Sequence, residues 1–139
     1  SFPIRRLSAF QAGSAKGWEA RIEVLRKIRL KNATNIASDG ISLLGASGAE
    51  MPCFIRYPVL MSDVDTKRTL LQKSEVEGLG VADGYPDSIN GIDELKGLFA
   101  EAVVPGAKII AERIVTLPIH PFVSERDLQR IVQVLRGKG

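Results

Sequence analysis

Trp18, Ile22, Leu25 and Ile28 fall at spacings of four, three and three, with Glu19, Arg21, Glu23, Arg26 and Lys27 between them. That period predicts a helix over about 15–36 with one face inward, ending in the region Asn32 to Asp39. Gly13 and Gly17 weaken the stretch before it, each by about 1 kcal/mol relative to Ala. Gly40, Gly45 and Gly48 mark residues 38–50 as a loop, with room for a short strand at Ile41 to Leu44. The pattern then changes from helical to alternating. Cys53, Ile55, Tyr57, Val59 and Met61 alternate with Phe54, Arg56, Pro58 and Leu60, which predicts a strand with the odd set inward. Pro58 cannot donate to a ladder, so the strand belongs at an edge or carries a bulge.

Asp63 offers an N-cap for a helix over Val64 to Val76, with Leu70 and Leu71 inward and Gly78 and Gly80 as its stop. Leu79 to Ala82 reads as a second short strand, and Asp83 to Ser88 as a loop. A short helix is expected at Ile92 to Ala100. Pro105 suits a first helical position, with Ala107, Ile110, Ala111 and Ile114 following at helical spacing. Val115 to Leu117 reads as a third strand, closed by Pro118 and Pro121. Ser124 with Asp127 forms a capping-box start for a last helix, whose face is Leu128, Ile131, Val132 and Leu135 and whose stop is Gly137. The order α-β-α-β-α-α-β-α gives an α/β (α+β) fold: a small, mostly antiparallel sheet of about three strands packed against helices.

The chain has 139 residues, 45% hydrophobic and 25% charged, enough for one domain with its own core over 1–139. Its net charge of +3 comes from 19 basic against 16 acidic residues, interleaved along the chain. No clustered basic patch stands out, so nucleic acid is not an expected partner. No apolar run approaches a membrane span, and no signal peptide is visible, so a cytoplasmic protein is expected. The start Ser1-Phe2-Pro3, without Met, reads as a piece of something longer.

One cysteine and one histidine leave little room for metal or triad chemistry. Cys53 is expected as a buried small hydrophobe rather than a reactive thiol. His120, between Ile119 and Pro121, is expected in a structural or surface role. Gly78-Leu79-Gly80 lacks the third glycine of a phosphate loop and reads as a turn. Asp63 and Asp65 lack the remainder of a calcium loop, and Asp63 is better explained as a cap. Tyr85-Pro86-Asp87-Ser88-Ile89-Asn90 combines an aromatic ring with hydroxyl and amide groups suited to a polar ligand. The same residues also make a turn held by Pro86 and Asp87, and composition alone favours the turn.

The run from Ala111 through Leu117-Pro118-Ile119-His120 to Ser124 resembles the closing signature of the DegT/DnrJ/StrS sugar aminotransferases. In that family a helix leads into a leucine-proline-x-histidine strand, and a final helix starts at serine-x-x-aspartate, matched by Ser124 and Asp127. Arg6-Leu7-Ser8-Ala9-Phe10-Gln11-Ala12 resembles the segment that opens the family's long linking helix. Phe54 to Val59 resembles the first strand of its small domain, and Gly80 to Ile89 the next strand and tyrosine-proline loop. The four segments occur in the family's order and span nearly the whole chain, matching the last third of a typical member.

The resemblance implies the C-terminal small domain of a fold-type-I enzyme that uses pyridoxal phosphate to aminate nucleotide-linked keto-sugars. The helix over about 15–36 would link it to a missing N-terminal large domain, and the parent would be a homodimer. The Schiff-base lysine and the acid facing the pyridine nitrogen lie in that large domain. This chain alone is therefore expected to carry no catalytic residue and no cofactor. Substrate contacts are expected at Tyr85, Ser88, Asn90 and Arg6. Two positions depart from the family. Ile4 stands where many members have an asparagine that reaches the neighbouring subunit's cofactor phosphate, and Gly84 where many have a histidine. The rival reading is a non-catalytic binding or interaction module that keeps the fold.

Overall fold

The computed structural model describes residues 6, 8–44, 51–99 and 105–137, with the side chains of Asn90 and Lys96 outside that description. Its strands are β1 (Arg56–Leu60), β2 (Ala82–Asp83) and β3 (Ile114–Pro118), in the order β1-β3-β2 with both pairings antiparallel. Its helices are α1 (Ala9–Ala15), α2 (Trp18–Ser38), α3 (Val64–Glu77), α4 (Lys96–Phe99), α5 (Pro105–Arg113) and α6 (Glu125–Leu135), with a 3-10 turn at Ile89–Gly91. This is the expected α+β arrangement, a small antiparallel sheet against helices.

The central strand β3 is the most apolar, because neighbours flank it on both sides. Tyr57 pairs with Leu117 and Val59 with Val115, and all four side chains are buried. With Met61, Val81 and Ile119 they face Ala33 and Ile36 of α2, Leu70 of α3, and Leu128, Ile131 and Val134 of α6. Burying side chains of this size contributes about 1.5–3 kcal/mol each, before the entropy of ordering them. The periodic face of α6 is therefore legible as core. A bidentate ion pair adds a tie outside it: Arg130 Nε and Nη2 lie 2.6 and 2.8 Å from the Glu77 carboxylate, joining α6 to α3.

Local chemistry sets the helix ends. Asp63 accepts from the Thr66 amide at 2.7 Å, and Gly78 ends α3 in the left-handed region at φ 66°. Ser124 and Asp127 form a reciprocal capping box at α6, as do Ser8 and Gln11 at α1. Between α1 and α2, Gly17 turns the chain at φ 71°. The Arg21 guanidinium donates to the carbonyls of Lys16 and Ser14, satisfying the end of α1.

Several expectations are corrected. β1 starts at Arg56 rather than Cys53, because its pairing ends at Arg56↔Pro118 and, among the described residues, no strand lies opposite residues 53–55. Cys53 is consequently exposed, and Ile55 is 74% exposed. The second strand is Ala82–Asp83 rather than Leu79 to Ala82, although Leu79 and Val81 are buried. Of the helix expected over Ile92 to Ala100, only the four residues of α4 are helical; residues 92–95 form a bend and turn after the 3-10 turn at Ile89–Gly91, and Ala100 lies outside the described residues. Segment 41–44 is not a strand, but the Leu44 amide donates to the Pro58 carbonyl and covers part of the β1 edge. The inward face of α2 begins later than its period suggests. Trp18 and Ile22 are about half exposed, and burial starts at Asn32, Ala33 and Ile36, where the helix reaches the core. On α5, Ala111 is buried and Ile110 is exposed.

Candidate functional site

β2 has only two paired residues, Ala82↔Thr116 and Asp83↔Val115, which is too short a ladder to fix a strand by itself. Its direction is set by contacts to each residue from Gly80 to Gly84. Arg56 Nη2 donates to the Gly80 carbonyl at 2.5 Å, while its Nε donates to Thr116 Oγ1 at 2.8 Å. Burial lowers the pKa of that guanidinium. The buried Ser74 hydroxyl accepts from the Val81 amide at 2.9 Å. Thr116 Oγ1 reaches the Ala82 carbonyl at 3.4 Å. Lys67 Nζ lies 2.7 Å from Asp83 Oδ1. Gly84 follows the last paired residue and rests on Ile114, where a β-carbon would fall 2.5 Å from Ile114 Cγ2.

From this footing the chain enters the loop singled out above. Tyr85 is 62% exposed, so its ring is free to meet a ligand. Asp87 Oδ1 accepts from the Ser88 amide at 2.6 Å and from the Ser88 hydroxyl at 3.2 Å. The Gly91 amide donates to the Ser88 carbonyl at 2.8 Å, and Gly91 backs onto the Asp87 carboxylate with no space for a side chain. The turn reading thus holds for the loop's frame: Asp87 organises it. Ser88 is buried within it, and Tyr85 is presented outward. Asn90 lies in the 3-10 turn, and its side chain is outside the described residues. Arg6 is exposed ahead of α1, a helix with no buried residue. Tyr85 and Ser88 therefore share one loop, while Arg6 belongs to a different, solvent-facing element. Ile4 lies outside the described residues.

The remaining candidates take structural roles. His120 Nδ1 accepts from the Phe122 amide at 3.3 Å, and its carbonyl and that of Ile119 accept from the buried Asn32. Among the described residues, no cluster of His, Cys, Asp or Glu could hold a metal, and no helix is long and apolar enough to cross a membrane.

Sequence reasoning did not single out Lys67. It is 7% exposed, and its ammonium also donates to the Ala111 carbonyl at 3.1 Å. A signal was present: Lys67, Leu70 and Ser74 fall at spacings of three and four, on the buried stripe of α3. The described lysines do not fit the covalent anchor of pyridoxal phosphate. Lys67 is engaged by Asp83 and Ala111. Lys73 lines a cavity of about 300 Å³ with Met61, Leu70 and Leu135, among others, and no aromatic ring stands there to stack on a pyridine. Lys16, Lys27, Lys31 and Lys108 are exposed.

By sequence, neither a protein family nor a characterised protein matches the chain. In three dimensions it matches solved aminotransferases. Helicobacter pylori PseC, an aminotransferase involved in the biosynthesis of pseudoaminic acid, superposes at TM-score 0.79 and 18% identity, the match covering 96% of this chain and 38% of PseC. DesV of S. venezuelae, solved in complex with a ketimine intermediate, gives 0.73 at 20% identity, covering 95% of this chain and 36% of its own. A DegT DnrJ EryC1 StrS aminotransferase from Brucella abortus gives 0.72 at 23% identity, with the same coverage of 95% and 36%. The chain spans little more than a third of the length of each, and over that stretch its fold is the fold of these aminotransferases.

Proposed function

We propose that this chain is the C-terminal small domain of a longer pyridoxal-phosphate-dependent aminotransferase acting on nucleotide-linked keto-sugars, and that it is not catalytic alone. The observation that carries the reading is the likeness over 95% of this chain to just 36% of the aminotransferase from Brucella abortus. A domain that occupies one end of such an enzyme would match in this way. The long helix α2 supports the linker role. Its first half stands clear of the core with Trp18 and Ile22 about half exposed, as a helix leading to another domain would. In this reading the domain covers residues 1–139, the parent is a cytoplasmic homodimer, and the partner of this chain is its own large domain.

Pyridoxal phosphate, held covalently by a lysine of that large domain, supplies an electron sink for amino transfer. This domain walls the substrate cleft. Tyr85 offers an aromatic face for the nucleotide or sugar, and Arg6 a cation for its phosphates. Ser88 and Asn90 complete the polar set, with Ser88 acting through the frame of the loop.

The test begins with the reading frame upstream of Ser1. It should encode about 230–250 further residues, larger than one ordinary domain, including a lysine that anchors the cofactor. The longer protein should then transfer an amino group from glutamate to a nucleotide-linked keto-sugar. A natural start codon near Ser1 would instead favour a stand-alone binding module that kept the fold.

A further inference from the structure

We propose that Lys67 is a positioning residue that sets where the Tyr85 loop leaves the sheet. Its ammonium has three donors and no acceptor, so one side chain can hold two separate oxygens. One is the Ala111 carbonyl at 3.1 Å, among the last carbonyls of α5 that have no partner within the helix. The other is Asp83 Oδ1 at 2.7 Å, on the last residue of β2. Lys67 is buried, whereas the Asp83 side chain is 51% exposed. The fixed end of the pair is therefore the lysine in α3, and the end being held is the strand terminus.

The need for such a tie follows from the two-residue ladder of β2. Backbone pairing stops at Asp83↔Val115, and the next two residues are Gly84 and Tyr85. Gly84 has no side chain to anchor it and rests against Ile114. Lys67 is thus the last charged hold on the chain before the loop begins. Releasing Asp83 would free the loop base while leaving the β1–β3 pairing and the apolar core in place.

The significance for substrate rests on the proposed function, but the positioning itself does not, and the test separates them. In the 139-residue chain, Asp83→Asn removes the charge at the half-exposed end and leaves Lys67 its bond to Ala111. Hydrogen exchange should then be about ten-fold faster for the amides of Gly84, Tyr85, Asp87, Ser88 and Ile89, and unchanged for those of Tyr57, Val59, Leu60 and 114–117. Lys67→Met should give the same local loosening if it folds, and Asp83→Asn carries the test if it does not. Unchanged exchange over 84–89 in Asp83→Asn overturns the proposal, because Lys67 would then be only a helix cap. In the longer protein, with glutamate and the nucleotide-linked keto-sugar it aminates, Asp83→Asn should raise the sugar KM about five-fold, with kcat little changed. Faster exchange with an unchanged KM supports the positioning role and removes instead the assignment of the loop to substrate.

Discussion

Gly84 lies flat against Ile114, so closely that a β-carbon would fall 2.5 Å from Ile114 Cγ2 and 3.3 Å from its Cγ1. Ile114 is 5% exposed in the central strand and has little freedom to withdraw. Gly84 has no positive φ, so the constraint is steric alone. Gly84→Ala should cost about 1–3 kcal/mol through overpacking. Leucine at 114 keeps the volume and removes the β-branch, so Gly84→Ala should cost less in an Ile114→Leu background. Urea denaturation of the four proteins in this double-mutant cycle measures the coupling. Equal costs in both backgrounds would mean that the contact does not constrain the loop base.

Asn32 is buried, and its amide nitrogen donates to the Ile119 carbonyl at 3.2 Å where the chain leaves β3. Asn32→Leu should fit the apolar surroundings yet leave that carbonyl without its donor. The expected loss is about 1–3 kcal/mol, the cost of a buried acceptor without a partner. Thermal and urea unfolding check it. A neutral or stabilising substitution would show that water replaces the amide.

Asp63 carries a pH dependence whose sign follows from its cap. The Thr66 amide, then the hydroxyls of Ser62 and Thr66, hold its carboxyl down to about 2. A folded-state value below the ordinary 3.8 means the charged form favours the folded state. That stabilisation is complete above about pH 4 and is lost as pH falls through about 2. Asparagine caps a helix as well as aspartate does but does not titrate there. Asp63→Asn should therefore have a shallower loss of stability between pH 4 and 2, followed by circular dichroism. The lowered pKa values of Asp127, from its bonds with Ser124, and Glu77, from Arg130, leave a residual slope of the same sign.

What was legible in the sequence was local. The serine-x-x-aspartate spacing read as a helix start is the capping box at Ser124/Asp127. It is complete within a few residues and needs no tertiary partner. The face of α6 and the alternation at Tyr57, Val59 and Met61 were legible because a single period decides them. What failed depended on distant pairing. Cys53 and Ile55 continue the alternation of β1, but Pro118 ends the strand opposite, and nothing in their own segment reveals that. The footing of the Tyr85 loop was hidden for the same reason: Lys67, Arg56, Thr116 and Ile114 come from three separate elements. The pattern of α2 showed that Trp18 and Ile22 share a face, but not that the core stops short of them.

That uncovered face makes a prediction about association. On α2, Trp18 is 53% exposed and Ile22, four residues on, 51%; Phe10 on α1 is 83% exposed. Exposed apolar side chains favour contact with another surface. If the large domain normally covers them, the 139-residue chain should self-associate as its concentration rises. Trp18→Glu combined with Ile22→Glu should shift it toward monomer without altering the core, which begins at Asn32. Sedimentation velocity over a concentration series checks both statements. A strict monomer at high concentration would count against a hidden partner for this face.

The last prediction concerns amino transfer. The 139-residue chain should neither transaminate nor hold pyridoxal phosphate at one specific lysine. Covalent anchoring needs a free amine, and activity needs an acid facing the pyridine nitrogen. Among the described lysines, the one most shielded from water is Lys67, and its ammonium is engaged by Asp83 and the Ala111 carbonyl. Lys27, Lys31 and Lys108 are exposed, and Lys16 is exposed at an open surface cavity of about 510 Å³ beside Trp18, so any adducts there should be scattered and weak. Incubation with the cofactor, borohydride reduction and peptide mapping should give partial labelling at several lysines, insensitive to added glutamate. Lys67→Met should leave that labelling pattern unchanged, since an engaged, buried amine is the least available. Stoichiometric labelling of a single lysine, with an absorbance that shifts when glutamate is added, would show a self-contained catalytic site and overturn the reading of this chain as one part of a larger enzyme.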